Sequence, residues 1–301
     1  MKVAVSGSSG LVGSALVPHL TAGGHQVARL VRSRAASPGE IAWNPEAGTI
    51  DSAALEGFGA IIHLAGESIA HGRWTEAKKN RIRDSRVGST RLLTAAIAGL
   101  SRPPQVLVCA SAIGYYGDRG DELLKEDSPP GDDFLAGVCR AWEEAAEAAA
   151  RRGVRVVQHR FGMILSTAGG ALAKMLLPYR LGAGGPIGTG RQYVSWITLD
   201  DVLGAIGHAL ATVTLRGPVN TVSPHPVTSR EFARALGRVL HRPAILPLPA
   251  FAARLMFGEM ADALLLSSQR VDPARLLSSG YHFLHPDLEL ALCHLLGRTV
   301  S

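Results

Sequence analysis

Three glycines near the start of the chain, Gly7, Gly10 and Gly13, have a spacing that would let an anion approach the backbone. They follow a short apolar segment, residues 2–6, typical of a buried strand, and precede a helical pattern over residues 11–19. Gly7 allows a sharp exit from the strand, Gly10 leaves room for a phosphate, and Gly13 lets the helix pack closely. The helix would direct its free N–H groups and positive dipole end at the same point, which predicts an anion site. The other residues predicted to line it are Ser8, Ser9, Leu11 and Val12.

The context of this glycine turn decides its meaning, because glycine triplets also occur in ordinary turns. Here the triplet follows a strand, opens a helix and is succeeded by a second apolar segment, Gln26–Val31. Strand, helix and strand together form the βαβ start in which such a turn binds a dinucleotide pyrophosphate. The sequence therefore favours a dinucleotide site over a simple turn.

The end of the second strand indicates which dinucleotide is expected. A carboxylate for a ribose 2′-hydroxyl would lie about twenty residues past the glycines, but the sequence there is Val31-Arg32-Ser33-Arg34. Arg32 can stack on adenine and pair with a 2′-phosphate in a bidentate way. We therefore expect NADP(H) rather than NAD(H); a solvated basic loop is the alternative.

The composition favours a core of parallel strands covered by helices. The 301 residues are 47% hydrophobic but only 5% aromatic, so Ala, Leu and Val supply most of the core. The net charge of +6 comes from arginines scattered among acids, without a basic block or interleaved aromatics. This pattern argues against a nucleic-acid partner and indicates anionic small ligands.

The cysteines and the apolar segments bear on the cellular environment. Cys109, Cys139 and Cys293 are far apart and have no metal-ligand spacing, so we predict no metal site. Their pattern fits a protein of the reducing cytosol best. Neither a signal segment nor an apolar segment of membrane-spanning length is recognisable. We expect a cytoplasmic protein without a membrane partner.

A third apolar segment, residues 59–65, ends where a doubly wound sheet would present its carboxyl edge to a ligand. Leu64, Ala65 and Gly66 are therefore expected to lie against the cofactor. His63 lies inside this apolar strand, where a hydrogen-bonded core histidine is expected rather than a catalytic one.

Residues 75–98 have apolar side chains at helical spacing among many basic ones, which predicts a long amphipathic helix. Within it, Ser85-Arg86 could turn toward a cofactor phosphate or ribose, and a solvated face is the equal alternative. A strand over residues 106–110 follows, and its exit contains Ser111 and Tyr116.

Several other segments carry structural expectations. Residues 40–51 predict a short hairpin or loop off the sheet, residues 133–152 a helix, and residues 250–266 an apolar helix that packs. The glycine-rich residues 182–190 predict a flexible loop over the cleft. Gln192, Tyr193 and Trp196, which follow this loop, have substrate recognition and packing as equal alternatives.

Segments along the whole chain resemble extended short-chain dehydrogenases/reductases, the group that includes nucleotide-sugar epimerases and dehydratases. More narrowly, the chain resembles the atypical epimerase-like family with its C-terminal domain of unknown function. The segments that carry the narrower resemblance are Ala65-Gly66-Glu67-Ser68-Ile69, Trp74, Ser85-Arg86, Gly114-Tyr115-Tyr116-Gly117, Ala141-Trp142-Glu143, Leu177-Pro178-Tyr179-Arg180-Leu181-Gly182, Gly185-Pro186-Ile187-Gly188-Thr189-Gly190, Ser195-Trp196-Ile197 and Gly258-Glu259-Met260.

The resemblance implies an α/β fold: a Rossmann-type doubly wound parallel sheet with a smaller α+β C-terminal substrate lobe. The NADP-binding domain would comprise residues 1–165, with sheet strands returning near 191–222, and the lobe residues 166–301. It further implies NADP(H) as cofactor, with a turn containing Arg160, Gly162 and Met163 closing over the nicotinamide end.

One departure from the wider superfamily bears directly on catalysis. Active members use a tyrosine as proton carrier and a lysine four residues later, but the corresponding positions here are Leu135 and Cys139. Without a proton carrier the rate would fall by a factor of about 10² to 10⁴. Ser111 and Tyr116 are the predicted catalytic residues, although one alignment puts Ala112 at the serine position. Other candidate proton donors are Tyr115, Glu67 and Asp118.

Two hypotheses about function follow. The favoured one is an NADP(H)-binding oxidoreductase or epimerase, a monomer or homodimer, that acts on a small carbonyl or nucleotide-sugar-like substrate. The alternative is a catalytically inactive NADP(H)-binding regulator, since the resemblance extends to proteins linked to cell division.

Overall fold

A mostly parallel sheet separates two layers of helices in the computed structural model, which describes residues 1–32, 35 and 37–299. Its central strands are apolar on both faces because both faces are covered by helices. The strands of the described residues are β1 Lys2–Ser6, β2 Gln26–Val31, β3 Glu40–Asn44, β4 Thr49–Ile50, β5 Ala60–His63, β6 Val106–Ala112, β7 Leu123–Leu124, β8 Arg155–Phe161, β9 Met163–Leu165, β10 Tyr193–Val194, β11 Trp196–Thr198, β12 Gly217–Thr221, β13 Val227–Thr228 and β14 Arg270–Val271.

The order of the strands in the main sheet is β12-β8-β6-β5-β1-β2-β3-β4. All neighbours in it are parallel except β3 and β4, which are antiparallel. The chain first builds outward from β1 to β4 and then returns to the other side of β1 with β5. The strand order thus reverses between β1 and β5, the place where open α/β sheets bind ligands.

Helices cover the sheet and build the second lobe. Those of the described residues are α1 Leu11–Ala22, α2 Glu76–Ala98, α3 Phe134–Glu147, α4 Gly170–Arg180, α5 Leu199–Ala211, α6 Ser229–Leu240, α7 Ala250–Phe257, α8 Glu259–Ala261, α9 Ala274–Ser278 and α10 Leu288–Leu296. None of these helices is both long and apolar enough to cross a membrane.

Alternating residues of each strand divide between two cores. Val5 and Ile62 pack with Ile206 of α5 on one face of the sheet. On the other face, Ile61 packs with Leu93 of α2. This alternation confirms the predicted α/β fold with a Rossmann-type parallel sheet, since consecutive apolar residues on a strand require cover on both sides.

The second lobe has its own core around Trp196, which is fully buried. The indole packs against α4, α6 and α10, and its Nε1 donates to the carbonyl of His225. Gln192 is buried as well, and its side-chain amide donates to the carbonyls of Ile187 and Leu265. Packing is therefore the role that the structure gives to both residues.

Three predicted elements differ from the observed ones. The hairpin, which was expected off the sheet, extends the sheet because β3 pairs in parallel with β2. Strand β6 continues two residues beyond 110 to Ala112, because Ser111 and Ala112 pair with β8. The apolar segment 250–266 is not one helix: Gly258, at φ 61°, ends α7, and α8 continues into a π-helical turn, Asp262–Leu266.

Two histidines lie in the cores without charge partners. His63 of β5 hydrogen-bonds Ser6, Thr90 and Ser89, as expected of a core histidine. His159 of β8 hydrogen-bonds Thr221 and stacks on a phenylalanine ring. Burial lowers the pKa of His63 to about 4. Burial is also the larger of the two causes that lower the pKa of His159 to about 3. Both imidazoles are therefore neutral in the folded protein at neutral pH.

These pKa values predict a loss of stability in acid. Between pH 6.5 and about 4 the unfolded chain binds a proton at His63 that the folded chain does not. The free energy of unfolding therefore decreases as the pH is lowered through this range. The expected loss from His63 alone is about 3 kcal/mol. Urea unfolding from pH 8 to pH 4 should show a shallower decline for His63→Gln than for wild type. His19→Gln, at an exposed helix position, should match wild type, and equal declines in all three proteins would contradict this explanation.

Candidate functional site

The turn after β1 lies against the exit of β5 with no room for a side chain. Gly7 has φ +70°, and a Cβ on it would lie 2.7 Å from the carbonyl carbon of Leu64 and 2.8 Å from the nitrogen of Ala65. A Cβ on Gly13 would overlap the carbonyl oxygen of Gly7 and lie 2.7 Å from Cα of Ser8. The glycines thus bring the first turn of α1 to the point where the strand order reverses.

Among the described residues, no side chain accepts from the first N–H groups of α1. Its N-cap is Gly10, no side chain caps it, and its first turn contains no acidic residue. By contrast, α2, α3, α5 and α6 each begin at a Thr or Asp whose side chain accepts from the helix. Ser9 and Gly10 are exposed, and Leu11 and Val12 are half-buried. The geometry suits an anion such as a phosphate.

Arg32 comes directly after β2, at the same edge of the sheet as the glycine turn after β1. Its guanidinium makes no hydrogen bond or ion pair with any described residue, and it borders a cavity of about 400 Å³. Ser33 and Arg34 lie outside the described residues. The β3–β4 hairpin also brings Asp51 to this cavity, a carboxylate that sequence reasoning missed because it comes from the adjoining hairpin. Other residues lining the cavity are Ala42, Trp43, Asn44, Thr49 and Ile50.

Arg86 of α2 lies against Gly66, just past the end of β5. A Cβ on Gly66 would come within 3.2 Å of its guanidinium carbon, which lies 5.2 Å from the ring centroid of Trp142. Its Nη1 donates to the carbonyls of Glu67 and Ile82, and the nearby Glu67 carboxylate interacts with its charge without hydrogen-bonding it. Nε and Nη2 make no hydrogen bond with a described residue and can donate to an anionic ligand.

A buried ion pair occupies the carboxyl ends of β6 and β8. Arg160 donates from Nε and Nη2 to the two carboxylate oxygens of Glu143, each at 2.8 Å. Ser111 donates to the same carboxylate at 2.6 Å. Nη1 of Arg160 donates to the hydroxyl of Tyr116 and to the carbonyl of Glu126. Arg160 is only 2% exposed, so the pair is removed from solvent.

Tyr116 has no exposed surface, and its hydroxyl is fully engaged. It donates to Oδ1 of Asn220 at 2.6 Å and accepts from Arg160. Burial raises the pKa of Tyr116 to about 12. The structure thus places the hydroxyls of both predicted catalytic residues, Ser111 and Tyr116, inside the protein, and their catalytic roles stay predictions.

Tyr115 differs from its neighbour. It is half-buried, and its hydroxyl makes no hydrogen bond with any described residue. The guanidinium carbon of Arg160 lies 3.5 Å from the centroid of its ring, which fixes the ring in place. A hydroxyl held in this way is free to exchange a proton with a ligand.

The other candidate proton donors are occupied. Glu67 accepts from Lys78 at 2.6 Å, a hydrogen bond that lowers the pKa of the carboxyl. Asp118 accepts from the backbone nitrogens of Gly120 and Ser268. Both carboxylates are therefore engaged in hydrogen bonds within the protein.

The positions of the superfamily tyrosine and lysine are apolar and buried. Leu135 packs beside Gly114, where a Cβ would lie 3.4 Å from its own. Burial raises the pKa of the Cys139 thiol to about 12, so it carries no charge at neutral pH. Neither side chain can exchange a proton with a substrate in the usual way.

The turn after β8 packs too closely for a side chain. A Cβ on Gly162 would lie 2.6 Å from the carbonyl oxygen of Ser195, and Met163 donates its backbone N–H to that same oxygen. Contacts of Gly162, Met163 and Arg160 with a cofactor stay predictions. The importance of Glu143 and Asn220 was missed: Glu143 was noted only within a motif, and nothing local marks Asn220.

Removing the carboxylate charge of Glu143 should destabilise the fold. Glu143→Gln leaves the Arg160 guanidinium buried without a counter-charge, which should cost about 3 kcal/mol of unfolding free energy. Urea unfolding at pH 7 measures this. Glu144→Gln, at the exposed next position of α3, is the matched control and should change stability by less than about 0.5 kcal/mol. Similar values for the two variants would show that the ion pair does not stabilise the folded state.

Comparisons with known proteins agree with this architecture. The model of the NAD dependent epimerase/dehydratase family matches residues 3–221, and that of a domain of unknown function matches residues 248–295. The chain is 45% identical over 290 residues to an epimerase family protein of Mycobacterium bovis, covering 96% of each.

Two solved structures are similar over nearly the whole chain. One is the human epimerase family protein SDR39U1, isoform 2, with NADPH: TM-score 0.90 and 36% identity, covering 99% of this chain and 100% of that one. The other is a nucleoside-diphosphate sugar epimerase from Corynebacterium glutamicum: TM-score 0.81 and 38% identity, covering 99% of this chain and 58% of that one. The resemblance inferred from the motifs is confirmed, and the chain belongs to the NAD-dependent epimerase/dehydratase family.

Proposed function

We propose that the chain binds NADPH at the point where the strand order reverses. The observation that carries the proposal is the N-terminus of α1, which is exposed, uncapped and free of acidic residues. The similar human protein was crystallised with NADPH, and the family description names a nicotinamide dinucleotide.

Three groups of residues would hold the nucleotide. The turn from Gly7 to Gly13 would bind the pyrophosphate through backbone N–H groups. Arg32, which has no partner among the described residues, would bind the 2′-phosphate. Toward the nicotinamide, the exit of β5 would supply a backbone surface, and the guanidinium of Arg86 would supply hydrogen-bond donors. The residues of that surface are Leu64, Ala65 and Gly66.

The reaction that this site would support is reduction or epimerisation of a small carbonyl or nucleotide-sugar-like substrate. The bound nucleotide would supply a hydride in a reduction and take one up in an oxidation, and the protein would give a proton in the first case and remove one in the second. Tyr115 is the residue we assign to the proton, since its hydroxyl has no internal partner and its ring is fixed by Arg160. Ser111 and Tyr116 would act by holding Glu143 and Arg160.

A second function, a catalytically inactive regulator that binds NADPH, is favoured by one observation. The positions of the superfamily tyrosine and lysine are filled by the buried side chains of Leu135 and Cys139. In this case the nucleotide would set the shape of a surface rather than react. Turnover of a substrate separates the two functions.

Removal of Arg32 should weaken NADPH binding selectively. A charge-assisted contact with a phosphate contributes about 1.5–3 kcal/mol, so Arg32→Ala should raise the Kd for NADPH about 10- to 100-fold, whereas the Kd for NADH should rise only by the smaller amount that stacking on adenine contributes. Isothermal titration calorimetry with both nucleotides measures the difference. Arg29→Ala is the matched control, because Arg29 lies on β2, three residues before Arg32, and pairs with Glu40. Equal weakening toward both nucleotides would rule out a contact with the 2′-phosphate.

The two adjacent tyrosines can be separated by single substitutions. Tyr115→Phe should lower kcat by about 10² to 10⁴. It should change the melting temperature little, because the hydroxyl that it removes makes no hydrogen bond with a described residue. Tyr116→Phe should instead destabilise the protein by about 1–3 kcal/mol, because it removes a buried partner of Asn220 and Arg160.

Loss of NADPH absorbance measures reduction of a panel of small carbonyl compounds, and chromatography of the products measures epimerisation of nucleotide sugars, which consumes no NADPH. Activity that depends on Tyr116 and is unaffected by Tyr115→Phe would contradict the assignment. If NADPH binds and no compound is turned over, the regulator is the better description.

A further inference from the structure

Three side chains far from the glycine turn in sequence direct ligand atoms at one point. Nε2 of His294 lies 3.0 Å from Oδ2 of Asp200, and Nε2 of His285 lies 4.0 Å from the same oxygen. The two imidazole rings are stacked, with centroids 4.1 Å apart and planes inclined by 22°. One ligand atom from each residue lies within 4.8 Å of the other two.

Three separate elements supply these residues. Asp200 is in the first turn of α5, which packs on the sheet. His294 is in the last turn of α10, which belongs to the core of the second lobe. His285 lies in the segment between α9 and α10. A group bound at this point would therefore tie the sheet layer to the C-terminal helix.

The backbone beside His285 is fixed in advance. Asp201, which is fully buried, accepts hydrogen bonds from the backbone nitrogens of Leu284 at 2.7 Å and His285 at 3.0 Å. The hydroxyl of Tyr281 donates to the same residue. Because the loop is held to α5 in this way, the positions of Asp200 and His285 do not depend on a bound ligand.

The imidazoles retain binding capacity. The ring of His285 makes no hydrogen bond with any described residue, and its polar contact is the 4.0 Å approach to Asp200. The side chain of His294 is 51% exposed, so one side of the cluster is open to water. A neutral imidazole presents a lone pair that a transition metal can accept.

We propose that Asp200, His285 and His294 form a binding site for a divalent transition metal, with Zn²⁺ as the expected ion. Two imidazoles and a carboxylate form a common set of three protein ligands for zinc, and water completes the tetrahedron. With bonds of about 2.0 Å, tetrahedral ligands lie about 3.3 Å apart, between the two distances observed here. Mg²⁺ and Ca²⁺ prefer oxygen ligands and are excluded by the two imidazoles.

Zinc binding can be tested on the full chain after treatment with a chelator. ZnCl₂ should bind at one equivalent with a micromolar Kd in calorimetry and raise the melting temperature by about 2–5 °C when saturating, and EDTA should reverse the rise. MgCl₂ should have no effect. Co²⁺ in place of zinc should give the visible absorption of a tetrahedral centre.

Matched variants assign the binding to this cluster. His285→Gln and His294→Gln should each abolish the binding of one zinc equivalent with micromolar Kd, and with it the rise in melting temperature. His282→Gln, an exposed histidine of the same segment, should keep both. Far-UV circular dichroism would show whether the variants are folded. Because the side chain of His294 is exposed, we expect its substitution to leave the fold intact. Zinc binding that is the same in wild type and both cluster variants, or no binding below millimolar zinc, would overturn the proposal.

Discussion

The buried ion pair between Arg160 and Glu143 is the interaction on which the carboxyl edge of the sheet depends. A charge buried this deeply without its partner would cost several kcal/mol, and Ser111, Tyr116 and the carbonyl of Glu126 hydrogen-bond the pair as well. Ser111, Tyr116 and Asn220 complete the network and connect β6, β8, β12 and α3. The result is a rigid floor at the edge where α/β sheets bind ligands.

This network also limits the chemistry of the site. It takes up the hydroxyls of Ser111 and Tyr116 for structural hydrogen bonds, and it holds the ring of Tyr115 through the guanidinium of Arg160. The neighbouring tyrosines thus have opposite environments although they are adjacent in sequence. An unengaged hydroxyl on a half-buried ring beside a fixed cation can exchange a proton with a ligand, whereas an enclosed one cannot do so without breaking the network.

The nucleotide end of the site depends on a different constraint, the close approach of α1 to the exits of β1 and β5. This constraint requires glycine at Gly7 and Gly13, and the sequence shows it directly because the spacing is local. The strands β1, β2, β5 and β6 were likewise predictable from short apolar runs, apart from the last two residues of β6. The break at Gly258 was not, because the apolar pattern continues across it and the conformation of one glycine decides it.

The sequence by itself determined the glycine turn, the βαβ start, the basic residue after β2 and the lack of the superfamily tyrosine and lysine. Each of these is a matter of residue type at a short spacing. Only the tertiary structure decided the partners of Ser111, Tyr116 and Arg160, the placing of Asp51 and Arg32 at one cavity, and the meeting of Asp200 with His285 and His294. Such contacts join residues that are far apart in the chain, and their geometry is set by how the strands and helices pack.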